Sequence, residues 1–335
     1  MTTMSKDQND LEPIEPGTAL ELYLADRSGT SAKKTIRHYR YRLKKFVEWC
    51  ESEGIDNLND LTGRRLHQYR LWRQEDGDLK PVTINGQMST LRIFLRWCGT
   101  IEAVPADLYD KVTVPRVSIT DEQRNETLDS ESAQEILQHL SKYHYASRKH
   151  LILALLWESG MRMGGAIALD LRDVDTTEKV LTLVHRPETG TPLKNGELGE
   201  RMVALSPELS QLIDEHRAVH RHETRDEHGR EPLLTTIHGR ITHGSVRRMV
   251  YRVTSPCFRG ESCPDCAGVP DKKCGEAVSP HAIRRGSITH FLTHDVPIDI
   301  VSDRMNVSRK VLDKHYDKRS EKVKVEQRRS YLQNI

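Results

Sequence analysis

The stretch "SRKHLILALLWESGMRMGG", residues 147–165, decides how the chain folds. Apolar residues surround it nearly all the way round a 3.6-residue repeat, so it reads as a helix buried at the centre of a domain. Gly160 can end that helix in a left-handed cap, which leaves Met161 and Arg162 at a fixed exit point. Upstream, a domain begins near Leu128, with Asp129 or Ser130 capping a helix through "AQEILQHLSKYH". Downstream, "KVLTLVHR" and "ERMVALS" read as strands joined by the long polar hairpin "PETGTPLKNGELG", with a third short strand at "PLLTTI". Helices fill most of the remaining chain to Ile335. The fold class is therefore mainly α with a small antiparallel β-sheet.

In front of this domain the polar segment "SITDEQRNET", residues 118–127, has no apolar periodicity and reads as a linker. Residues 15–117 form a separate helical domain, in which four helices are predicted. The clearest is "TSAKKTIRHYRYRLKKFVEWCESEG", with Thr30 or Ser31 as N-cap and its end near Gly54. Ile36, Tyr39, Leu43, Phe46, Val47 and Cys50 recur at threes and fours and make its core face. Arg37, Arg40 and Lys44 repeat beside them as a basic stripe, which reads equally as a solvated face or a contact surface. Residues 1–14, polar and unpatterned, read as disordered.

A chain of 335 residues can bury a real core and divide into two domains. Charged residues make up 30% and apolar ones 36%, as in a soluble helix-rich protein. The longest apolar run, "LILALLW", falls far short of the roughly 18–20 residues that span a bilayer. The opening "MTTMSKDQND" lacks a signal peptide's apolar core, so a cytoplasmic location is expected. A net charge of +2 does not by itself announce a nucleic-acid partner, and distribution matters more than the total.

Three features of the second domain point to one chemistry. Arg162 follows the buried helix. In "PHAIRRGSITHFL", His281 and Arg284 stand three apart on one helical face, with Arg285 next door. Tyr316 follows in "VLDKHYDKRS", amid Lys314, His315, Lys318 and Arg319. Guanidinium forks match a phosphate and stabilise the extra charge of a pentacoordinate transition state. A tyrosine can take the phosphoryl group as a covalent ester, which divides strand exchange into two transesterifications.

On these residues the chain resembles the tyrosine recombinases, or phage integrase family. "LLWESGMRMGGAIALDLRDVD" is similar to the family's first-arginine box. "HAIRRGSITHFLTHDVPIDIVSDRMNVSRKVLDKHYDK" is similar to its His-x-x-Arg box running to the nucleophilic tyrosine, and in wording is especially similar to integrases of haloarchaeal viruses and plasmids. The resemblance implies a SAM-like core-binding domain followed by an α+β catalytic domain, residues 128–335. It implies that Arg162 and Arg284 bind the scissile phosphate, that Tyr316 attacks it to form a 3′-phosphotyrosyl link, and that His281 assists proton transfer. It also implies a hairpin lysine as general acid for the 5′-oxygen, and Lys194 is the only lysine in this hairpin. Departures stand beside these matches. Gly165 replaces a frequent carboxylate, Arg285 a frequent histidine, and Asn306-Val307 a common Gly-His pair.

Six cysteines fall into two classes. Cys50 and Cys98 follow tryptophans on apolar-periodic helices and read as core thiols. Cys257, Cys263, Cys266 and Cys274 crowd the insert at residues 257–274, where a C-x-x-C pair amid Gly and Pro favours a structural, four-thiolate zinc site. A closed site of that kind has no open position for catalysis, and no cofactor is expected for the reaction itself. His216 and His220 in "DEHRAVHRHETRDEHGR" have metal-compatible spacing, but that charge-dense stretch reads as a solvated helix face and loop.

The resemblance implies double-stranded DNA as partner, gripped by a C-shaped clamp of the two domains. Arg37, Arg40, Lys44, Arg64, Arg65, Arg92 and Arg285 would contact it, mainly at phosphates. It implies a homo-oligomer on DNA, two protomers per site and four in the synapse. "SEKVKVEQRRSYLQNI", after the nucleophile, is expected to dock on a neighbouring protomer. The functional expectation is a site-specific recombinase. Alternatives are topoisomerase-like relaxation, and a DNA-binding regulator with weakened catalysis that Gly165 and Val307 make thinkable.

Overall fold

The computed structural model describes residues 11–77, 79–117, 126–263 and 274–316, with 322, 325, 326 and 329; for Lys33, Lys314 and His315 it describes the backbone. The chain divides into two compact units, Met1–Arg124 and Asn125–Ile335.

The first unit is built on α1 (Pro16–Ser28), α2 (Lys33–Ser52), α3 (Gly63–Glu75) and α4 (Pro81–Thr100). Each helix contributes an aromatic ring to one core. Tyr23, Phe46, Trp49, Tyr69 and Phe94 are all at most 1% exposed. Phe94 meets Tyr23 edge-on at 5.3 Å, and Tyr69 meets Phe46 edge-on at 5.2 Å, the arrangement ring quadrupoles favour. Cys50 and Cys98 lie inside this core, and burial pushes the Cys50 thiol up to about 12.

Two local expectations need correction. α2 is not capped by Thr30 or Ser31; its N-cap is Ala32, without a side-chain bond. The amides of Thr30 and Ser31 donate instead to the Arg27 carbonyl, so both residues finish α1 rather than open α2. Nor is the whole of 1–14 unstructured. The Glu12 amide donates to the Glu102 carbonyl at 2.9 Å, and Ile14 is held from both sides by Asn57 and Leu58. These bonds, two between backbones and one to the Asn57 side chain, join segments far apart in sequence, which composition does not reveal. Residues 1–10 lie outside the described residues.

The second unit contains α5 (Ser130–Tyr143), α6 (Arg148–Ser159), α7 (Met163–Ala168), strands β1 (Val174–Asp175), β2 (Val180–Leu183) and β3 (Arg201–Ala204), then α8 (Pro207–Glu215). It continues through β4 (Thr235–Thr236), β5 (Gly239–Arg240), α9 (His243–Thr254), α10 (Pro280–Thr293), α11 (Ile298–Met305) and α12 (Arg309–His315). Helix α6 is the buried centre: Leu151, Ile152, Leu153, Leu155 and Leu156 are at most 1% exposed. Helices α5, α8, α9 and α10 pack around it. Gly160 ends it at φ +57°, a conformation that favours glycine, and a Cβ there would stand 2.5 Å from the Met305 sulfur and push that side chain aside. Of the two candidate caps for α5, Asp129 fills the role and accepts the Ser132 amide at 2.8 Å.

β1, β2 and β3 form one antiparallel sheet, with Val180 opposite Ala204 and Leu183 opposite Arg201. The long β2–β3 connection is not slack. Arg186 and Thr191 exchange backbone bonds, the Leu193 amide donates to His185 Nδ1, and residues 196–199 form a 3₁₀ turn.

The "DEHRAVHRHETRDEHGR" stretch is less solvated than its charge suggests. His216 is 1% exposed and its Nδ1 lies 2.7 Å from the Ala146 carbonyl; His220 is exposed. Asp226 and Arg230 join a buried ion network with Asp170, Asp173, Arg186 and Arg240. Against the upward push of burial, hydrogen bonds from Arg240 and two backbone amides draw the Asp226 carboxyl down to about 2. Side chains from distant segments neutralise one another here, which local charge counting cannot see. Among the described residues no helix is long and apolar enough to cross a membrane. The expected linker 118–127 is shorter at its end: the Ser279 amide donates to Glu126, and the Leu128 amide to the Ala282 carbonyl. Residues 118–125 lie outside the described residues.

Candidate active site

The α6 cap leaves Arg162 as the N-cap of α7, partly buried. Helix α10 starts on Pro280 with the Ser279 hydroxyl accepting the Ala282 amide at 3.3 Å, which sets His281 and Arg284 one turn apart. Arg284 is 2% exposed, and its fork is satisfied by backbone oxygens rather than carboxylates. Nη1 donates to the carbonyls of Gly160 and Met305, and Nη2 donates to that of Asn306 at 3.4 Å. Arg162 Nη1 donates to the same Asn306 carbonyl at 3.2 Å. One left-handed residue at the end of α11, φ +47°, thus gathers both guanidiniums.

Tyr316 follows α12 and is 7% exposed, packed with Ile288, Met305, Val307 and Leu312. Its hydroxyl lies close enough to the Arg284 guanidinium to act on that group's charge. Burial, with repulsion from Arg162, pushes Arg284 down to about 10, and the same two causes bring Arg201 to about 10. Both stay charged at neutral pH. His281 is exposed, yet desolvation by the protein packed around it, and then repulsion from Arg285, Arg284 and Arg162, lower its pKa below the usual imidazole range. Its neutral form, able to accept a proton, is therefore favoured. Arg285 is half-buried.

A small cleft is lined by Arg162, Gly165, Lys194, Arg201 and Asn306. Lys194 and Arg162 thus share one concavity, although 32 positions separate them in the chain. Arg201 opens β3, directly after the loop that carries Lys194. Here it donates to the carbonyls of Arg304 and Gly199 at 2.7 and 2.9 Å, tying β3 to the end of α11. Asn306 was legible only as a departure from glycine. Its side chain accepts from Asn195 Nδ2 at 2.6 Å and donates to the Leu198 carbonyl at 2.7 Å. The residue that gathers the arginines therefore also latches the loop carrying Lys194. A sequence signal existed: Asn is one of the few residues besides Gly that a left-handed helix end accepts, and it adds a donor and an acceptor. Val307 is buried in the apolar cluster around Tyr316, so its side chain offers no polar group to the site.

The basic residues of the first unit divide into committed and uncommitted. Arg40 forks onto Glu21, Lys44 lies 3.7 Å from Glu48, and Arg65 lies 3.6 Å from Glu53. Arg92 donates to the Val112 carbonyl at 2.6 Å and serves its own domain. Arg37 and Arg64 are exposed and have no ion pair among the described residues. The sulfurs of Cys257, Cys263 and Cys274 converge to within 4.8 Å, while Cys266 lies outside the described residues, as do Lys318, Arg319 and most of the C-terminal stretch.

Residues 126–321 match the phage integrase family, and residues 20–99 match the N-terminal SAM-like domain of phage integrases. The chain belongs to the phage integrase family. Among its relatives within the tyrosine recombinases is XerD of Proteus mirabilis, 22% identical over 306 residues, covering 90% of this chain and 86% of that one. The N-terminal domain of a phage integrase/site-specific recombinase from Haloarcula marismortui is 40% identical, covering 31% of this chain and 99% of that one, with a TM-score of 0.30. The Tn1549 transposon integrase, solved in complex with circular-intermediate DNA, is 13% identical. It covers 93% of this chain and 99% of that one with a TM-score of 0.67, so this family member shares its fold.

Proposed function

We propose that this integrase-family chain is a site-specific DNA recombinase that breaks and rejoins strands through a 3′-phosphotyrosyl intermediate. One observation carries the reading: two guanidiniums meet on the Asn306 carbonyl, and Arg284 lies within charge range of the buried Tyr316. Arg162 and Arg284 bind the non-bridging oxygens of a phosphodiester and take up the charge that grows as phosphorus becomes five-coordinate. The Tyr316 oxygen attacks phosphorus in line. As the O–P bond forms, the P–O5′ bond breaks; neutral His281 receives the phenol's proton and Lys194 gives one to the departing 5′-oxygen. A 5′-hydroxyl from the partner strand reverses the sequence, so bond energy is conserved and no cofactor is consumed.

The partner is double-stranded DNA carrying the element's recombination sites. Arg37 and Arg64 reach phosphates, with Arg40, Lys44, Arg65, Arg92 and Arg285 in secondary places. Strand exchange between two sites needs more than one protomer, two per site and four per synapse. The place of work is the cytoplasm, where the DNA is.

The test is a nicked suicide substrate built from the ends of the element that encodes the protein. On a denaturing gel, wild type should form a covalent protein–DNA adduct and Tyr316→Phe none. Tight, specific binding without an adduct in wild type would replace this reading with a DNA-binding regulator.

A further inference from the structure

Between α9 and α10 the chain makes an excursion whose base is pinned. The Val278 amide donates to the Thr254 hydroxyl at 3.1 Å, and that hydroxyl donates back into α9 at the Val250 carbonyl. Within the excursion Cys257 is exposed, Cys263 half-buried and Cys274 6% exposed, and their three sulfurs lie within 4.8 Å of one another. Cys274 and Ala277 form a small apolar cluster of their own with Tyr251 and Cys263, away from the domain core. The Cys263 and Cys274 sulfurs stand 3.5 Å apart. A disulfide would need about 2.05 Å. A tetrahedral zinc with Zn–S bonds of about 2.3 Å sets its sulfurs about 3.8 Å apart. The spacing matches a shared metal and not a covalent bridge.

We propose that Cys257, Cys263 and Cys274 bind a structural zinc ion through their converging sulfurs; the C-x-x-C spacing of the sequence offers Cys266, which lies outside the described residues, as the fourth thiolate. Zn²⁺ binding replaces four S–H bonds by four Zn–S bonds and releases four protons, with no change of oxidation state. The closed site clamps the excursion's two ends beside the Ser279 cap of α10 and so steadies the helix that presents His281 and Arg284. This reading is independent of the recombination chemistry: a chain without catalysis could hold the same ion.

Protein purified without chelator and without a metal-charged column should contain one zinc per chain by elemental analysis. Exchange into cobalt should give the intense charge-transfer and visible bands of tetrahedral thiolate ligation. Cys257→Ser and Cys274→Ser should each lose stoichiometric metal. Because either variant could misfold, the cobalt spectrum of the wild-type chain stands as the second measurement. Removing zinc with a thiol reagent and chelator should raise amide exchange around residues 255–263 and 274–283 while α6 stays protected. A substoichiometric metal content with all four insert thiols reactive in the folded protein would overturn the proposal. So would intact-mass evidence of a disulfide between Cys263 and Cys274.

Discussion

Replacing Asn306 by glycine separates two roles that this residue combines. Glycine keeps the left-handed helix end, φ +47°, and the carbonyl that receives Arg162 and Arg284, but deletes the two side-chain bonds to Asn195 and Leu198. A net hydrogen bond is worth about 1 kcal/mol, so the latch contributes about 2 kcal/mol to holding the Lys194 loop against the arginines. If that energy is expressed fully in the geometry of the leaving-group proton, cleavage should slow by about thirtyfold. DNA affinity should hardly change, since neither bond touches a phosphate-binding group. Single-turnover cleavage should be compared on an ordinary substrate and on one with sulfur at the 5′-bridging position. A thiolate departs without needing a proton, so sulfur should restore Asn306→Gly and Lys194→Ala toward wild type but leave Arg284→Ala slow. A defect of equal size on both substrates, or no defect at all, would refute the positioning role.

Other outcomes follow from burial and charge. His150 is buried, and desolvation brings its pKa from 6.5 to about 4. The unfolded chain therefore binds a proton that the folded one refuses: the site costs nothing above pH 6.5 and destabilises progressively as pH falls toward 4. The loss reaches about 3 kcal/mol, and His150→Leu should flatten that part of a urea-denaturation pH series. Gly160→Ala should lower stability by about 2–4 kcal/mol, visible as a fall in melting temperature, because left-handed strain adds to the clash with Met305. Arg37→Ala and Arg64→Ala should each weaken binding on all sequences and reduce the slope of log K against log salt by about 1. A slope unchanged in both variants would remove these residues from the DNA contact.

What the sequence disclosed and what it hid divide along a physical line. Helix α6 and its glycine cap were legible because a helix apolar on all sides has only one place to go. Tyr316 and both arginines were legible because their order and spacing form boxes. Pairings between remote segments were not: the order of residues 11–14, the Asp170 ion network and buried His216 all depend on partners that local pattern leaves unspecified. Asn306 is the sharpest case. Its backbone role could be inferred at a left-handed helix end, but its latch needs the three-dimensional meeting of a hairpin loop and a helix terminus. Arg92, legible as a basic surface residue, turned out to serve Val112 inside its own domain.

The Arg284 fork has a consequence beyond catalysis. Carbonyl dipoles satisfy its hydrogen bonds without cancelling its charge, and among the described residues no carboxylate lies within ion-pair distance of Arg162, Arg201 or Arg284. Three like charges are crowded into a partly dry corner, and the depressed values of Arg201 and Arg284 record that discomfort. The corner is therefore electrostatically complementary to an anion. On the proposed reading, a phosphate seated there would complete a charge balance that folding leaves open.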